Sequence, residues 1–186
     1  ITTSDYLARP KLFSGPGRPK IINLARSYNY QSKGYYASLL AEARGHRIIP
    51  TVETMLELRE LKLYKQSLPD LQEALTHAAR KARAAESAPF ELMFCFGLSR
   101  DPRFEAFGRL LFDWYRCPAM EVSITPGEVW RIDRLRARPL AKLGPEDAAF
   151  LREALHQHSQ RDWRSPRPRA PAKYSLAVLY DPQEEL

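Results

Sequence analysis

The polar stretch Asn23–Gly34 contains the residue types in this chain that are best suited to binding a ligand. Arg26 carries a guanidinium group, which can pair with a carboxylate or a phosphate through two parallel hydrogen bonds. Gln31 and Ser32 come directly before an expected helix, and the amides at a helix N-terminus favour an anion. The stretch is therefore predicted to be a binding loop for an anionic group.

The tyrosines of the same stretch support a second interpretation. Tyr28, Tyr30 and Tyr35 carry large rings that can pack over the edge of a neighbouring sheet. In that case the stretch is a structural connection, and its tyrosines contact the protein instead of a ligand. The sequence leaves both interpretations open.

Two further segments place polar residues after predicted strands. Ser99 and Arg100 follow the apolar run Leu92–Phe96, and Glu53 follows the strand-like run His46–Pro50. Ligands of open α/β sheets bind beyond the carboxyl ends of the strands, so these residues are predicted to face the same crevice as the loop. The alternatives are a helix cap with a solvated arginine, and for Glu53 a first-turn carboxylate that complements the helix dipole.

Strong signatures of catalysis or metal binding are missing from the sequence. Phe13–Gly17 contains two glycines but has the wrong spacing for a phosphate-binding loop. His156 and His158 are two residues apart, so on a helix they point to different sides. No serine lies in a nucleophile elbow. We therefore assign no catalytic residue and expect no metal site.

The cysteine content and the hydropathy favour a cytoplasmic protein. Cys95 and Cys117 make neither a metal site nor a disulfide framework, and Cys95 is expected to be a buried small hydrophobe. No apolar run approaches the roughly 18 residues that a membrane helix needs. The polar start of the chain lacks the apolar region of a signal peptide, so no membrane association is expected.

The chain is basic, with a formal net charge of +7 from 29 Lys and Arg against 22 Asp and Glu. Much of the excess lies in two arginine-rich segments, 131–138 and 161–169. Such a surface permits nucleic acid as a partner. However, Trp130 alternates with Arg131 and is expected on the opposite face, whereas nucleic-acid surfaces combine basic and aromatic residues. A solvated, arginine-rich surface is the simpler interpretation.

The residues around the loop predict a strand–helix–strand unit. Ile21–Ala25 is an apolar run typical of a short strand, and His46–Pro50 is a second one. Ser32 is a suitable N-cap for the intervening helix, and Gly45 suits its C-terminal end. The short return indicates a parallel pair of strands. The expected apolar face of the helix consists of Tyr36, Leu39, Leu40 and Ala43.

Later segments predict more helices and strands. Thr51 is expected to cap a helix through Leu63, and Ser67 to cap the next helix. Phe90–Phe96 has the continuous apolar character of a central strand covered on both faces. Asp101 followed by Pro102 is a helix start signal.

The remaining pattern completes an α/β (or α+β) fold with three layers. Alternating residues in 119–125 and 129–136 predict an antiparallel hairpin at one sheet edge, and a last helix is expected from Pro145. The expected sheet has 4–5 strands, is short and mostly parallel, and has helices packed on its faces.

Four parts of the chain are expected from composition. Residues 1–19 are an irregular lead-in, residues 20–160 a single accessory domain, and residues 161–172 a linker rich in proline and arginine. Residues 173–186 are expected to begin the first strand of a following region.

Residues 22–54 closely resemble the opening of the N-terminal domain found ahead of RimK-like ATP-grasp ligases. The resemblance covers most of residues 20–160 and is looser through 55–90. Similar later motifs are Asp101–Phe104, Leu110–Phe112 and Cys117-Pro118. The segment Tyr174–Gln183 also resembles the junction at which an ATP-grasp region begins.

The resemblance implies an accessory domain, not catalytic by itself, of an ATP-dependent ligase that joins a carboxylate to an amine. The domain would bind substrate or dock the ligase domains. No cofactor is expected in this segment, and ATP and magnesium would be bound by the ligase region beyond residue 186. The predicted substrate-binding residues are Asn23, Arg26, Ser27, Tyr30, Gln31, Ser32, Glu53, Ser99 and Arg100.

The expected partners are the following ATP-grasp domain of the same chain and a small amino-acid or peptide substrate. Self-association into a homo-oligomer is left open, and neither a membrane nor nucleic acid is the expected partner. Two alternative functions also remain open. One is a stand-alone enzyme acting on small peptides or amides, with Glu53 and the Arg26–Gln31 loop as its site; the other is a basic nucleic-acid-binding module.

Overall fold

The protein is described by a computed structural model. Residues 1–9, 11, 13, 19–65 and 68–160 are placed well enough to be described, except for the side chain of Leu61. The helices are α1 (Thr3–Ala8), α2 (Lys33–Ala43), α3 (Val52–Glu57), α4 (Leu61–Tyr64), α5 (Leu68–Lys81), α6 (Glu105–Tyr115) and α7 (Pro145–Ser159). The strands are β1 (Lys20–Ile22), β2 (Arg47–Ile49), β3 (Phe90–Cys95), β4 (Leu98–Ser99), β5 (Ala119–Thr125) and β6 (Arg131–Ala137).

The described strands form two sheets, which corrects the prediction of one mostly parallel sheet. The first contains β1 and β2 in parallel, with Ile21 opposite Ile48, as the strand–helix–strand unit predicted. The second is antiparallel and has the order β4-β3-β5-β6. It includes the predicted hairpin of β5 and β6, which pairs at one edge of this sheet.

The predicted central strand β3 lies in the antiparallel sheet because a tight turn reverses the chain at its end. Phe96 and Gly97 both have positive φ, 49° and 81°, as a type I′ hairpin turn requires. Cys95 consequently pairs with Leu98, and β3 runs antiparallel to both neighbours. A Cβ on Gly97 would meet Phe112 at 3.0 Å, so the turn also packs tightly against α6.

The antiparallel sheet is covered on both faces. Side chains that alternate along β3 and β5 divide between two hydrophobic clusters. Phe94 and Val122 face the larger cluster with α5 and α6, whereas Cys95 and Ala119 face a smaller one with α7. Ile49 belongs to this smaller cluster, so the parallel pair packs on the same face as α7.

The outer edge of β6 is occupied by side chains of the neighbouring helices. The backbone N–H groups of Trp130 and Ile132 donate to Thr76 Oγ1 at 3.0 Å and to Gln72 Oε1 at 3.1 Å. The N–H of Leu135 donates to the Tyr64 hydroxyl. Exposed edge strands invite pairing with other chains, and these contacts use up three of the groups that such pairing needs.

The N-terminal residues also differ from the sequence expectation. The predicted irregular lead-in contains α1, which begins with a capping box between Thr2 and Asp5. Tyr6 anchors α1 in a cluster with Ala37 and Ala41 of α2.

The predicted apolar face of α2 is wrong. Tyr36, Leu39 and Ala43 are exposed, and Leu40 is only partly buried. The residues that α2 buries are small, namely Gly34, Ala37, Ser38 and Ala41.

Helix boundaries follow their local signals with two adjustments. Ser32 caps α2, and Gly45 follows the helix with a φ of 71°. Thr51 caps α3, but the predicted helix through Leu63 is broken into α3 and α4. Asp101 caps a 3-10 turn, Pro102–Phe104, that leads into α6.

Three sequence predictions fall outside the described residues: the cap at Ser67, the linker 161–172 and the strand within 173–186. Within the described ranges, no helix is long and apolar enough to span a bilayer.

Candidate functional site

Asn23 holds the loop between β1 and α2. Its side chain is buried and joins three parts of the chain. The amide Nδ2 donates to the Gly34 carbonyl at 2.8 Å and to Ser38 Oγ at 3.0 Å, while Oδ1 accepts from the Ala25 N–H at 3.1 Å. The predicted binding residue Asn23 is therefore a structural anchor with its polar atoms directed inward.

Ser27 and Ser32 close the loop against the start of α2. Ser32 Oγ donates to the Ser27 carbonyl at 3.0 Å and accepts from the Tyr35 N–H as the N-cap. A Cβ on Gly34 would lie 2.2 Å from the Ser27 carbonyl oxygen, so only glycine permits this close approach. Gln31 is exposed and has a φ of 61°, a left-handed conformation that turns the chain into the helix.

Ser38 holds the loop in place, a role that was not predicted from the sequence. Its buried hydroxyl donates to the Pro50 carbonyl at 2.7 Å and accepts from Asn23. It thereby connects the loop to the end of β2. The available signal was the row of small residues at helical spacing, Gly34, Ala37, Ser38 and Ala41, which marks a face of close contact.

The loop tyrosines divide between the two interpretations of the sequence. Tyr28 is buried, its hydroxyl donates to the Asn23 carbonyl at 2.6 Å, and burial raises the pKa of Tyr28 well above its ordinary value. Tyr30 is 55% exposed and packs edge-to-face on Tyr35, which in turn contacts Tyr36. Tyr28 is thus structural, whereas Tyr30 presents its ring to solvent.

Arg26 is the cation that the loop presents to solvent. It lies between Ala25, whose buried methyl group packs beside Tyr28 and Met55, and Ser27, whose carbonyl touches the start of α2. The Arg26 side chain is exposed, and no hydrogen bond or ion pair joins it to any residue that the structure describes. Its backbone is fixed while its charge stays available.

Glu53 lies in the first turn of α3, capped by Thr51. It is exposed, and its position agrees with a carboxylate that complements the helix dipole. Met55 of the same helix packs against Ala25 and Tyr28. Helix α3 therefore packs beside the loop. Met55 faces this contact, whereas Glu53 is exposed.

Ser99 and Arg100 do not lie beyond a parallel strand, which corrects the predicted shared crevice. Ser99 belongs to β4 of the antiparallel sheet, and its Oγ accepts from the Asp101 N–H. Arg100 contacts the start of α7, with ion pairs to Asp147 at 2.9 Å and Glu146 at 3.5 Å. No hydrogen bond or ion pair connects either residue with the loop within the described ranges. Asp101 is the expected helix cap of this segment, whereas Arg100 is ion-paired and not simply solvated.

Three of the four arginines in residues 131–138 contact a carboxylate, and no ion pair is described for Arg134. Arg131 pairs with Asp133 at 2.7 Å, and Arg136 and Arg138 both contact Glu121, at 3.2 and 3.6 Å. Such pairing leaves fewer free charges to follow a phosphate backbone than the sequence suggested.

The two cysteines are buried and chemically quiet. Cys95 is 0% and Cys117 2% exposed, and burial raises the pKa of each thiol to about 12. Across the described residues, no group of three or more His, Cys, Asp or Glu side chains could hold a metal ion.

Comparison with known proteins agrees with the motif of the loop. A family model described as the RimK-like ATPgrasp N-terminal domain matches residues 3–154. No curated protein matches the chain. No solved structure matches it. The family match includes α1, the whole Asn23–Gly34 loop and both sheets, and the chain therefore belongs to the family of RimK-like ATP-grasp N-terminal domains.

Proposed function

We propose that this domain is a non-catalytic accessory domain of a RimK-like ATP-grasp ligase, and that it binds a carboxylate of an amino-acid or peptide substrate at the loop before α2. The observation that carries the proposal is Arg26, an exposed guanidinium on an internally fixed loop, without a partner among the described residues. Arg100, by contrast, is already paired with Asp147 and Glu146.

The structural supports of the loop favour binding because they fix its backbone before a ligand arrives. Asn23, Tyr28 and Ser32 each hydrogen-bond to the backbone of the loop or of α2. A pre-ordered site loses less conformational entropy on binding than a mobile one. The first-turn amides of α2 lie at the end of the helix that directly follows the loop. As at any helix N-terminus, they favour negative charge.

Ligase chemistry belongs to this proposal only as the reaction of the partner region. An ATP-grasp ligase would activate a carboxylate and join it to an amine, with ATP and magnesium bound outside this domain. This domain would present or retain the substrate. The stand-alone enzyme and nucleic-acid hypotheses remain predictions, and no arrangement of the described residues favours either of them over carboxylate binding.

Arg26→Ala tests the proposal. N-acetylated amino acids and dipeptides with free carboxylates would be titrated into the 186-residue protein by NMR and calorimetry. A charge-assisted hydrogen bond contributes roughly 1.5–3 kcal/mol, so the variant is expected to bind about 10- to 150-fold more weakly. Arg26→Lys keeps the charge but cannot form two parallel hydrogen bonds. Its affinity is expected to lie between those of the unsubstituted protein and Arg26→Ala.

Arg134→Ala is the matched control, because Arg134 is also exposed and has no described partner, but lies on β6. It should leave the affinity unchanged. Equal loss in both variants would indicate a general effect of net charge and would contradict a site at Arg26. Absence of ligand-induced shifts in the amides of residues 26–36 would contradict it as well.

A further inference from the structure

Helix α2 turns two of its large side chains, Tyr36 and Leu39, to solvent and its small side chains to the protein. Tyr36 and Leu39 are 40% and 41% exposed, and Ala43 is exposed one turn further on. Tyr30 extends this surface through edge-to-face contact with Tyr35, which packs on Tyr36. We call the surface formed by Tyr30, Tyr35, Tyr36, Leu39 and Ala43 the α2 strip.

The inverted orientation of α2 is imposed by close packing. Ser38 and Ala41 are 0% exposed, and an added Cβ at Gly34 would collide with the Ser27 carbonyl. Rotation of the helix to hide Tyr36 and Leu39 would place large side chains where only small ones fit. The α2 strip is therefore a fixed feature of the surface, and an exposed apolar surface of this kind is typical of a docking site.

We propose that the α2 strip is the docking surface for the segment Tyr174–Leu186 of the same chain. Large apolar residues occur at every second position in the first part of this segment: Tyr174, Leu176, Val178 and Tyr180. Residues 174–180 span about 20 Å when extended, which matches the roughly 16 Å length of an 11-residue helix. The intervening residues 161–172 can reach about 40 Å, enough to cross a domain of this size.

Charge complementarity sets the direction of the segment. After Lys173 the chain contains Asp181, Glu184 and Glu185 and no basic residue. At the N-terminal end of α2, Lys33 is exposed, and the neutral Ser4 hydroxyl is the one hydrogen-bond partner described for its ammonium. The positive end of the helix dipole adds to this charge. This charge distribution favours antiparallel docking of the segment on α2, with the acidic residues towards Lys33.

This inference goes beyond the proposed carboxylate site and rests on different side chains, although both involve the positive N-terminal end of α2. The apolar contacts lie along Tyr36, Leu39 and Ala43, whereas the carboxylate site is at Arg26. Surface ion pairs contribute only about 0–1 kcal/mol, so the apolar contacts supply the affinity and the charges determine the orientation.

Paired cysteines in the 186-residue protein test both the location and the direction. Ala43→Cys with Ser175→Cys joins the C-terminal end of α2 to the start of the segment, and Asn29→Cys with Gln183→Cys joins the opposite ends. The native cysteines do not interfere, because both are buried and burial raises the pKa of their thiols to about 12. Each matched pair is expected to form an intramolecular disulfide at least tenfold faster than a control pair.

The control pair is Val129→Cys with Ser175→Cys. Val129 is 64% exposed in the turn between β5 and β6 and is joined to Ser175 by the same tether. Equal rates for the matched and control pairs would overturn the proposal. Crossed pairing of Ala43→Cys with Gln183→Cys at the faster rate would overturn the direction, and disulfide-linked dimers would assign the α2 strip to a second copy.

A double substitution, Tyr36→Ser with Leu39→Ser, should abolish the rate advantage of the matched pairs while the circular dichroism spectrum is retained. The same variant should retain binding of free carboxylates. Conversely, Arg26→Ala should lose carboxylate binding and keep the Ala43–Ser175 disulfide rate. Failure of either proposal is thus visible without failure of the other.

Discussion

The Asn23 amide bonds to the start and the middle of α2 through Gly34 and Ser38, and to the loop itself through the Ala25 N–H. Its own carbonyl accepts the Tyr28 hydroxyl. A long polar loop ordinarily has many backbone conformations, and fixing them costs entropy. One buried side chain with three satisfied bonds opposes that cost, so the exposed Arg26 is carried on an ordered backbone.

Replacement of Asn23 by Ala is expected to lower the free energy of unfolding by roughly 2–4 kcal/mol, because buried groups of Gly34 and Ala25 lose their partners. Urea unfolding followed by circular dichroism measures the loss. The same variant should weaken carboxylate binding at Arg26, because the loop is no longer held in one conformation.

Asn29→Ala is the matched control for this prediction. Asn29 belongs to the same loop, is exposed, and no hydrogen bond of its side chain is described. A surface substitution of this kind usually changes stability by less than about 0.5 kcal/mol. Equal effects at the two asparagines would show that the buried amide has no special role.

Local signals at single residues were sufficient to predict the ends of α2. Ser32 was expected as the N-cap because its hydroxyl can accept a first-turn amide, and it accepts from Tyr35. Gly45 was expected after the helix because glycine tolerates positive φ, and its φ is 71°. By contrast, the contact of Arg100 with Asp147 depends on how distant elements pack, which no local pattern contains.

At the scale of elements, the direction of β3 could not be predicted from its composition. A continuous apolar run indicates burial on both faces, and hydrophobic clusters do lie on both faces of β3, although Glu91 near its start is exposed. Parallel pairing was inferred from that burial, but α7 and the parallel pair β1–β2 cover the second face of an antiparallel sheet. The turn at Phe96-Gly97 decides the direction.

The face that α2 buries was predicted wrongly for a related reason. Apolar periodicity identifies Tyr36, Leu39 and Ala43 correctly as one face of the helix. Periodicity does not tell which of two faces meets the protein when the other face consists of small residues. Here the close contact at Gly34 and the complete burial of Ala41 decide in favour of the small face.

The attachment of α1 to α2 is expected to depend on pH. The Tyr6 hydroxyl lies 2.8 Å from His46 Nδ1, and the Arg44 guanidinium carbon lies 4.9 Å from the centre of the Tyr6 ring. Burial and, secondly, Arg44 lower the pKa of His46 below its ordinary value of 6.5. The folded protein thus binds fewer protons here than the unfolded chain, and stability must fall as the pH decreases below about 6.5.

His46→Gln isolates this contribution, because glutamine can still accept from Tyr6 but does not titrate. Thermal unfolding between pH 7.5 and pH 5 should show the unsubstituted protein losing more stability than the variant. Four carboxylates have lowered pKa values and act at lower pH, because Asp5, Asp101 and Asp133 start from ordinary values of 3.8 and Glu86 from 4.5. A difference between the two proteins that stays constant with pH would contradict the prediction.

For the whole molecule, the composition overstates the positive charge that is available to a partner. The formal net charge is +7. However, several arginines form ion pairs with neighbouring carboxylates. Arg103 contacts both Asp101 and Glu86, and Glu121 serves two arginines of β6 and its extension. Composition counts charges without pairing them, so it could not distinguish the free Arg26 from these.

Two hydrophobic clusters on opposite faces of one sheet raise the question of whether the domain opens as one unit. Cys95 belongs to the cluster under α7 and Cys117 to the cluster under α5 and α6. Each thiol is buried and has its pKa raised to about 12, so reaction with a thiol reagent at pH 8 requires opening of its cluster. The shared strands β3 and β5 predict that both clusters open together.

Both cysteines are therefore expected to be modified at one common rate, measured by mass spectrometry of peptides after brief exposure to reagent. Asn23→Ala should accelerate both by the same factor, about 30-fold for each 2 kcal/mol of lost stability, and Asn29→Ala should accelerate neither. If Asn23→Ala accelerated the modification of Cys117 alone, the loop and the larger cluster would open without the cluster that contains Cys95. In that case the sheet joins two separately opening units, and the order of the Arg26 loop would depend on only one of them.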